Sequence, residues 1–558
     1  MKGRNETVER LEEETFDVCV IGGGATGAGC ALDAQLRGLK TVLVEAGDFA
    51  SSTSSASTKM VHGGIRYLQE AVRDLDINQY RLVEHALRQR SLMLRNAPFL
   101  TRTVEFLIPC FSQFERFYYG LGMKVYDWIA GKAGFSPSRL LARDEALHRV
   151  PAMRSRGLIG AVVYADGQFD DSRYCITLLN SFVGVGGEAL NYARVTAFEE
   201  NQAGRLSVAK VVDQVSDQKL KIRARAFVNA AGPFSDTVRQ LASPCVATRM
   251  RPSKGVHILV PLGRFPDSDA LLIPKTEDGR VVFAIPWNGR LLVGTTDSEW
   301  EPGDEMVVTR VEIEYLLRQL NPYLSEPLRA DQVVSGTAGI RPLVAARNVV
   351  DTKKLIRDAE VELDPQSGLI SILGGKWTTY RLMGEETVDK IQQYLGARVT
   401  PSMTRDHPLA GSLSYQWDYW QTLASEYHIP AGTAEHLSHT YGTIAPEVLK
   451  LVANETELGI PLLEGAAPIR AEVVYAVRRE MAMSIEDVLA RRIGLQLFGW
   501  RLAVQAAPAV ASLLSRELGW SATETEAALE QYVSKINRML DAAGLAPEPF
   551  PAHAMERR

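Results

Sequence analysis

Between Phe16 and Glu45 the chain reads F-D-V-C-V-I-G-G-G-A-T-G-A-G-C-A-L-D-A-Q-L-R-G-L-K-T-V-L-V-E, and this order leaves few folds open. Val18 to Ile21 is a short apolar run with β-branched residues, the pattern of a buried parallel strand. Gly22, Gly24 and Gly27 then make G-x-G-x-x-G. The first suits a tight turn, the second lets a pyrophosphate approach the backbone, and the third packs helix against strand. A helix from Ala25 to Leu36 would meet the phosphates with its N-terminal amides. Thr41 to Val44 forms the next strand, and Glu45 stands at its end, where a carboxylate can accept hydrogen bonds from a ribose. Strand, turn, helix, strand and acid in this order predict a dinucleotide site. The bland alternative is an empty glycine-rich turn, with Glu45 an ordinary surface acid.

A chain of 558 residues exceeds what one hydrophobic core usually supports, so at least two domains are expected. The formal net charge of −5 argues against a nucleic-acid binder. Cys19, Cys30, Cys110, Cys175 and Cys245 are dispersed, with no C-x-x-C pair, which fits a reducing compartment and indicates neither a disulfide framework nor a zinc site. Residues 1–15 read as a polar, acid-rich tail without the apolar stretch of a secretory signal. No uninterrupted apolar run of about eighteen residues suggests a transmembrane helix. The expected location is cytoplasmic, with peripheral membrane contact open.

Beyond Glu45 comes A-G-D-F-A-S-S-T-S-S-A-S-T-K-M-V-H-G-G-I-R-Y-L. The hydroxyl-rich part, Ser51 to Thr58, would pass alone for a linker, but it directly follows the nucleotide-binding unit. The segment from Ser51 to Leu68 resembles the signature of flavin-dependent glycerol-3-phosphate dehydrogenases. Gly339-Ile340-Arg341-Pro342 resembles that family's G-x-R-P, and Gly374-Gly375-Lys376-Trp377-Thr378-Thr379-Tyr380-Arg381 its G-G-K-x-T-T-Y-R. Ile65 and Trp377 stand where leucine is common. The resemblance covers nearly the whole chain. It implies an α+β flavoprotein: a Rossmann-like FAD-binding domain of the glutathione-reductase and amino-acid-oxidase type, an inserted antiparallel-sheet substrate domain, and a C-terminal helical domain.

On that reading residues 16–400 form the oxidoreductase region, with the inserted domain near 75–165 and 245–335, and 401–558 are helical. The expected FAD-binding residues are Gly22, Gly24, Thr26, Gly27, Glu45, Thr53, Ser54, Ser55, Lys59, His62, Gly63, Gly64, Val195, Ala230, Gly232, Gly339, Gly375, Lys376, Thr378 and Thr379. His62 is expected to pack on the isoalloxazine.

Several elements follow from pattern. Residues 76–97 give an amphipathic helix, and Glu188 to Phe198 looks like one strand. Leu206 to Arg225 reads as a hairpin about Asp217, and short strands dominate from 247 to 298. Asp171 or Ser172 is the expected N-cap of the helix ending near Gly184. Phe114, Phe117, Tyr118, Leu121, Val125, Trp128 and Ile129 recur at helical spacing near Arg116, Lys124 and Lys132. That stripe reads first as a core-facing helix, with one lying in a membrane interface as the alternative; the family's delivery of electrons to membrane quinone strengthens the alternative without settling it.

The chemistry implied is hydride removal from C2 of glycerol 3-phosphate, with a base taking the C2 hydroxyl proton. Histidine titrates nearest neutrality, which makes His257 the candidate base, or a neutral structural histidine. Arg341 and Lys376 suit the substrate phosphate, Arg66 and Tyr67 its other oxygens, and Thr378 a helix N-terminus that favours an anion. Lys254 is either a further phosphate ligand or a solvated lysine. Rival readings are a glycerol-phosphate oxidase using oxygen, an amino-acid or sarcosine-type oxidase, and a catalytically silent flavoprotein. A homodimer stays open.

Overall fold

Thr15–Ile21 is the hub of the first sheet because Val18, Cys19 and Val20 are wholly buried and apolar on both faces. It pairs in parallel with Thr41–Val44 on one side and Lys219–Asn229 on the other. The order across this sheet is Glu360–Leu363, Ile370–Leu373, Lys219–Asn229, Thr15–Ile21, Thr41–Val44, Glu188–Leu190. Helix Ala25–Leu36 is buried along most of its length and packs against helices Asp171–Gly184 and Tyr380–Tyr394. The structure is a computed structural model that describes residues 3–64, 77–301, 303–345 and 359–550.

The second sheet runs Ser298–Glu299, Ser253–Pro261, Arg290–Gly294, Val282–Trp287, Asp269–Ile273, Thr101–Cys110, Gly160–Phe169, Met60–Val61, with Ser335–Arg341 on Ser253–Pro261 and Arg139–Ala142 on Gly160–Phe169. It is mixed rather than wholly antiparallel, since Asp269–Ile273 lies parallel to Thr101–Cys110. Both faces are covered. Leu107, Val256, Ile258, Leu271, Ile273 and Val293 share a core with Trp500, Val504 and Ile536 of the C-terminal helices, whereas Phe106, Ile108, Ala270 and Leu272 pack on Met123 and Tyr126 from the opposite side. Burial on two faces explains why these strands read as apolar runs instead of alternating. The C-terminal helices therefore complete the core of the second sheet.

Local differences from the sequence reading have physical causes. The stretch expected as a polar tail contains helix Arg4–Glu13, which buries Thr7, Val8 and Leu11 and ties Arg4 to Asn191 and Asp213. The strand expected from Glu188 to Phe198 is two, Glu188–Leu190 and Ala193–Glu200, broken where Tyr192 takes a φ of 53°. The N-cap of Asp171–Gly184 is Asp170, whose side chain accepts from the Arg173 amide. Asp171 and Ser172 are the first residues inside the helix.

Candidate active site

Strand ends and turns from both sheets surround a cavity of about 710 Å³, a size normal for a ligand site. One end is the glycine turn. Gly22 has φ 121°, and a Cβ there would sit 2.4 Å from the Ala230 carbonyl oxygen. A Cβ on Gly27 would fall 1.9 Å from the Gly22 carbonyl oxygen, so Gly27 allows the helix to seat on the turn and does not itself line the cavity. Gly24 and Thr26 do line it. The Ser54 hydroxyl accepts from the Ala25 amide at 3.0 Å, which marks the helix N-terminus as a donor site for an anion or other acceptor.

Glu45 also lines the cavity. Its carboxylate accepts from the amides of Gly23 at 2.6 Å and Gly47 at 2.8 Å. Burial pushes its pKa up, against the pull of these two amides. Val195, Ala230, Gly232, Gly339, Gly375, Lys376, Thr378, Thr53, Ser54, His62, Gly63 and Gly64 complete the expected set along the wall. Three other expected residues face elsewhere. Lys59 is buried in an ion pair with Asp171 and donates to the Ser55 carbonyl at 3.0 Å. Ser55 lines a neighbouring cavity of about 410 Å³ together with Lys59. Thr379 is buried and caps its own turn by donating to the Lys376 carbonyl. Arg66, Tyr67 and Ile65 lie outside the described residues.

His257 is buried in the wall of the cavity. Its Nε2 is 2.9 Å from the Thr58 hydroxyl, and its Nδ1 has no hydrogen-bond partner among the described residues. Burial, then the charges of Arg341 and Lys59, pull its pKa down to about 3, so the ring is neutral at physiological pH. A Cβ on Gly294 would approach His257 Cδ2 to 2.0 Å; only glycine leaves room for the ring at that point on the paired strand.

Arg341 lines the same cavity but does not offer an open fork. Its NH1 donates to Asp297 at 3.0 Å and Lys254 O at 3.3 Å, and its NH2 to Thr295 Oγ1 at 2.9 Å and Thr296 O at 2.7 Å. The guanidinium lies over Gly255, where a Cβ would come within 2.4 Å. Arg341 thus supplies a fixed positive charge, and an anion contacting it edge-on has to displace Asp297 or Thr295. Lys254 turns away to Glu312 at 3.1 Å.

Two contributors gave little signal in the sequence. Thr58 orients the histidine from the hydroxyl-rich loop. Trp377 donates to the Ser54 carbonyl at 3.0 Å and sits edge-on to Phe169, Tyr174 and Tyr380, locking that loop to the lysine-bearing turn.

Comparison with known proteins identifies the family. Residues 17–389 match the family model described as FAD dependent oxidoreductase, and residues 402–525 match the C-terminal domain of alpha-glycerophosphate oxidase. The probable mitochondrial glycerol-3-phosphate dehydrogenase of Caenorhabditis elegans is 40% identical over 530 residues, covering 93% of this chain and 73% of that protein. The mitochondrial glycerol-3-phosphate dehydrogenase of Mus musculus is 38% identical over 564 residues, covering 97% and 77%. The crystal structure of the Bacillus halodurans glycerol-3-phosphate dehydrogenase complexed with FAD superposes with a TM-score of 0.78 at 30% identity, over 96% of this chain and 97% of that one. With a glycine turn and an acid at the second strand lining one cavity, the chain belongs to the FAD-dependent glycerol-3-phosphate dehydrogenases, and FAD is its cofactor.

Proposed function

We propose that the chain oxidises sn-glycerol 3-phosphate to dihydroxyacetone phosphate and passes the electrons to a membrane quinone. The observation that carries this is the convergence of His257, Arg341 and Lys376 on the one cavity that also holds the glycine turn. Bound FAD supplies the redox chemistry by accepting the hydride that leaves C2. The neutral His257 ring takes the C2 hydroxyl proton, held in place by Thr58. The approach of a substrate dianion favours the imidazolium and so raises the basicity of a ring that burial otherwise suppresses. Arg341, Lys376 and the amide-rich turn at Thr378 offset the phosphate charge, which a carboxylate substrate would not need to the same degree. Arg66 and Tyr67, outside the described residues, are assigned to the remaining substrate oxygens.

The acceptor half rests on helix Gln113–Ala130. Phe114, Phe117, Leu121 and Trp128 are 74%, 69%, 57% and 73% exposed, and Tyr118 stands with them beside the exposed Lys124. Apolar and aromatic residues beside a cation suit an interfacial helix. Among the described residues no helix is long and apolar enough to cross a membrane; in this proposal the chain docks peripherally on the inner face of the cytoplasmic membrane.

One experiment tests both halves. Anaerobic glycerol 3-phosphate should bleach the flavin, and a soluble quinone should then restore its colour faster than oxygen. Failure to bleach would point to a silent flavoprotein, and faster recovery with oxygen to an oxidase.

A further inference from the structure

The His257 ring makes one hydrogen bond among the described residues, between its Nε2 and the Thr58 hydroxyl at 2.9 Å. Its Nδ1 has no partner among them, so nothing on that side selects a tautomer. Packing against Gly294 limits where the ring can sit, and Thr58 decides how it turns within that space. The ring is therefore only as well fixed as Thr58 itself.

Both neighbours of Thr58 are held by one distant carboxylate. Asp171 opens helix Asp171–Gly184 and is wholly buried. Its Oδ2 accepts from the Ser57 amide at 2.9 Å, and its Oδ1 pairs with Lys59 Nζ and accepts from the Ser172 amide at 2.7 Å. Lys59, 2% exposed, also donates its ammonium to the Ser55 carbonyl at 3.0 Å and its amide to Ser57 Oγ at 3.1 Å. Its carbonyl accepts from the Phe169 amide at 3.0 Å. The Lys59 φ of 58° is a backbone that a residue with a Cβ keeps only where its surroundings enforce it. Across this turn Thr58 lines the cofactor cavity and Lys59 the neighbouring one. Charge follows the same plan: Lys59 and Arg341 are the cations whose fields fall on His257, and Asp171 answers the first as Asp297 answers the second.

We propose that Asp171 is a positioning residue for the reaction: through the Ser57 amide and Lys59 it fixes Thr58, and through Thr58 it fixes the ring of His257. The catalytic consequence rests on His257 being the base, as proposed above. Asp171 itself touches neither substrate nor cofactor in this assignment, and its effect on the rate passes entirely through the hydroxyl of Thr58.

The test is a double-mutant cycle in the full-length, flavin-loaded protein, with Asp171→Ala and Thr58→Val made singly and together. Each single variant should slow flavin reduction by glycerol 3-phosphate about 10- to 100-fold, the scale of a misplaced reacting group, with KM little changed. Because Asp171 acts through Thr58, the pair should be hardly slower than Thr58→Val alone, whereas independent effects would multiply. The ring-nitrogen resonances of His257, in protein carrying isotope-labelled histidine, should move in both single variants. Lys59→Met together with Asp171→Ala removes the ion pair without stranding a buried charge. That variant should stay slow, since the Ser57 amide still lacks its carboxylate, and it takes the place of Asp171→Ala in the cycle should the single variant not fold. A parent-like rate there would mean that Asp171 only offsets the Lys59 charge, and would overturn the positioning role. Multiplying rate losses, or His257 resonances unmoved in a folded Asp171→Ala, would overturn it as well. Should Thr58→Val and His257→Asn both reduce at the parent's rate, the base reading fails, and the resonances alone judge whether Asp171 holds the ring.

Discussion

Arg492 places its two terminal nitrogens on the two oxygens of Asp48, each at 2.8 Å, across 444 positions of chain. Arg491 adds its Nε at 2.6 Å and Asn191 its amide at 3.1 Å. Asp48 follows Glu45 and Gly47, so the C-terminal helices hold the turn that presents Glu45 to the cavity. Burial pushes the Asp48 carboxyl up, but Arg492 and Arg491 outweigh it and hold the group at about 2. A depressed carboxyl stabilises the fold above the ordinary range near 3.9, and this contribution is lost as pH falls through about 2. Arg492→Met leaves a buried charge half-compensated and is expected to cost about 3 kcal/mol, to move acid unfolding to higher pH, and to lower flavin content. Denaturant unfolding and flavin absorbance measure both; an unchanged midpoint would show that Arg491 suffices.

Gly24→Val tests the cofactor end. A Cβ at Gly24 already lies 2.9 Å from Ser54 Oγ, and a branched side chain fills the space that a pyrophosphate needs. The purified variant should be folded by circular dichroism and colourless. Full flavin absorbance would place the cofactor elsewhere.

How far the sequence carried the reading differs from residue to residue. The βαβ unit was legible because strand, glycine turn and acid obey local rules that tertiary packing does not override. His257 was legible as a residue but not as a state: its pKa depends on burial, on Arg341 and on Lys59, which arrive from distant segments. Lys59 looked like a cofactor ligand because it sits in the signature loop, yet Asp171, 112 positions away, claims it. The N-cap was missed by one position since Asp170, Asp171 and Ser172 all have capping chemistry. The exposed stripe of helix Gln113–Ala130 could not be separated from a core stripe by periodicity, which locates an apolar face without saying what covers it.

For His257 the sign of the pH effect is opposite to that of an ion-paired histidine. The folded ring resists protonation down to about 3, whereas an unfolded one titrates near 6.5. Above that value both states are neutral and nothing is contributed. Below it the unfolded chain takes up a proton that the folded one refuses, so stability falls as pH drops from about 6.5 towards 3. Thermal unfolding of the parent should show this loss, and His257→Asn should remove that part of it. If His257 is the base, the variant should also reduce its flavin about 10²–10⁴-fold more slowly. A variant with the parent's profile and rate would return His257 to a packing role.

Arg341→Ala addresses the phosphate. Hydrogen bonds to ionised groups contribute about 1.5–3 kcal/mol each, and about 1.4 kcal/mol is tenfold in rate. The second-order rate constant for flavin reduction by glycerol 3-phosphate should fall by roughly two to four orders of magnitude, with flavin content retained. Glycerol should be a poor donor for the parent and lose little further. Equal losses with both donors would mean that Arg341 holds Asp297 and its loop rather than the phosphate.

Leu121→Asp with Trp128→Asp should free the protein from membranes while leaving it folded and flavin-loaded, because both side chains are already exposed. Activity with a soluble dye should persist and quinone reduction should fall. Continued sedimentation with vesicles would dismiss the interfacial helix.

The pairing of Thr15–Ile21 with Lys219–Asn229 joins Thr15 to Arg223, and Val228 pairs onward with Ile370. The floor of the cavity therefore cannot close until the ribosome has made about two-thirds of the chain. Such distant contacts form slowly, and a ligand that binds only the finished arrangement shifts the folding balance by mass action. During synthesis, then, FAD supply would act as a determinant of yield: flavin-starved cells should accumulate less of this chain, and what they do hold should be cut by proteases first at the strands that close last.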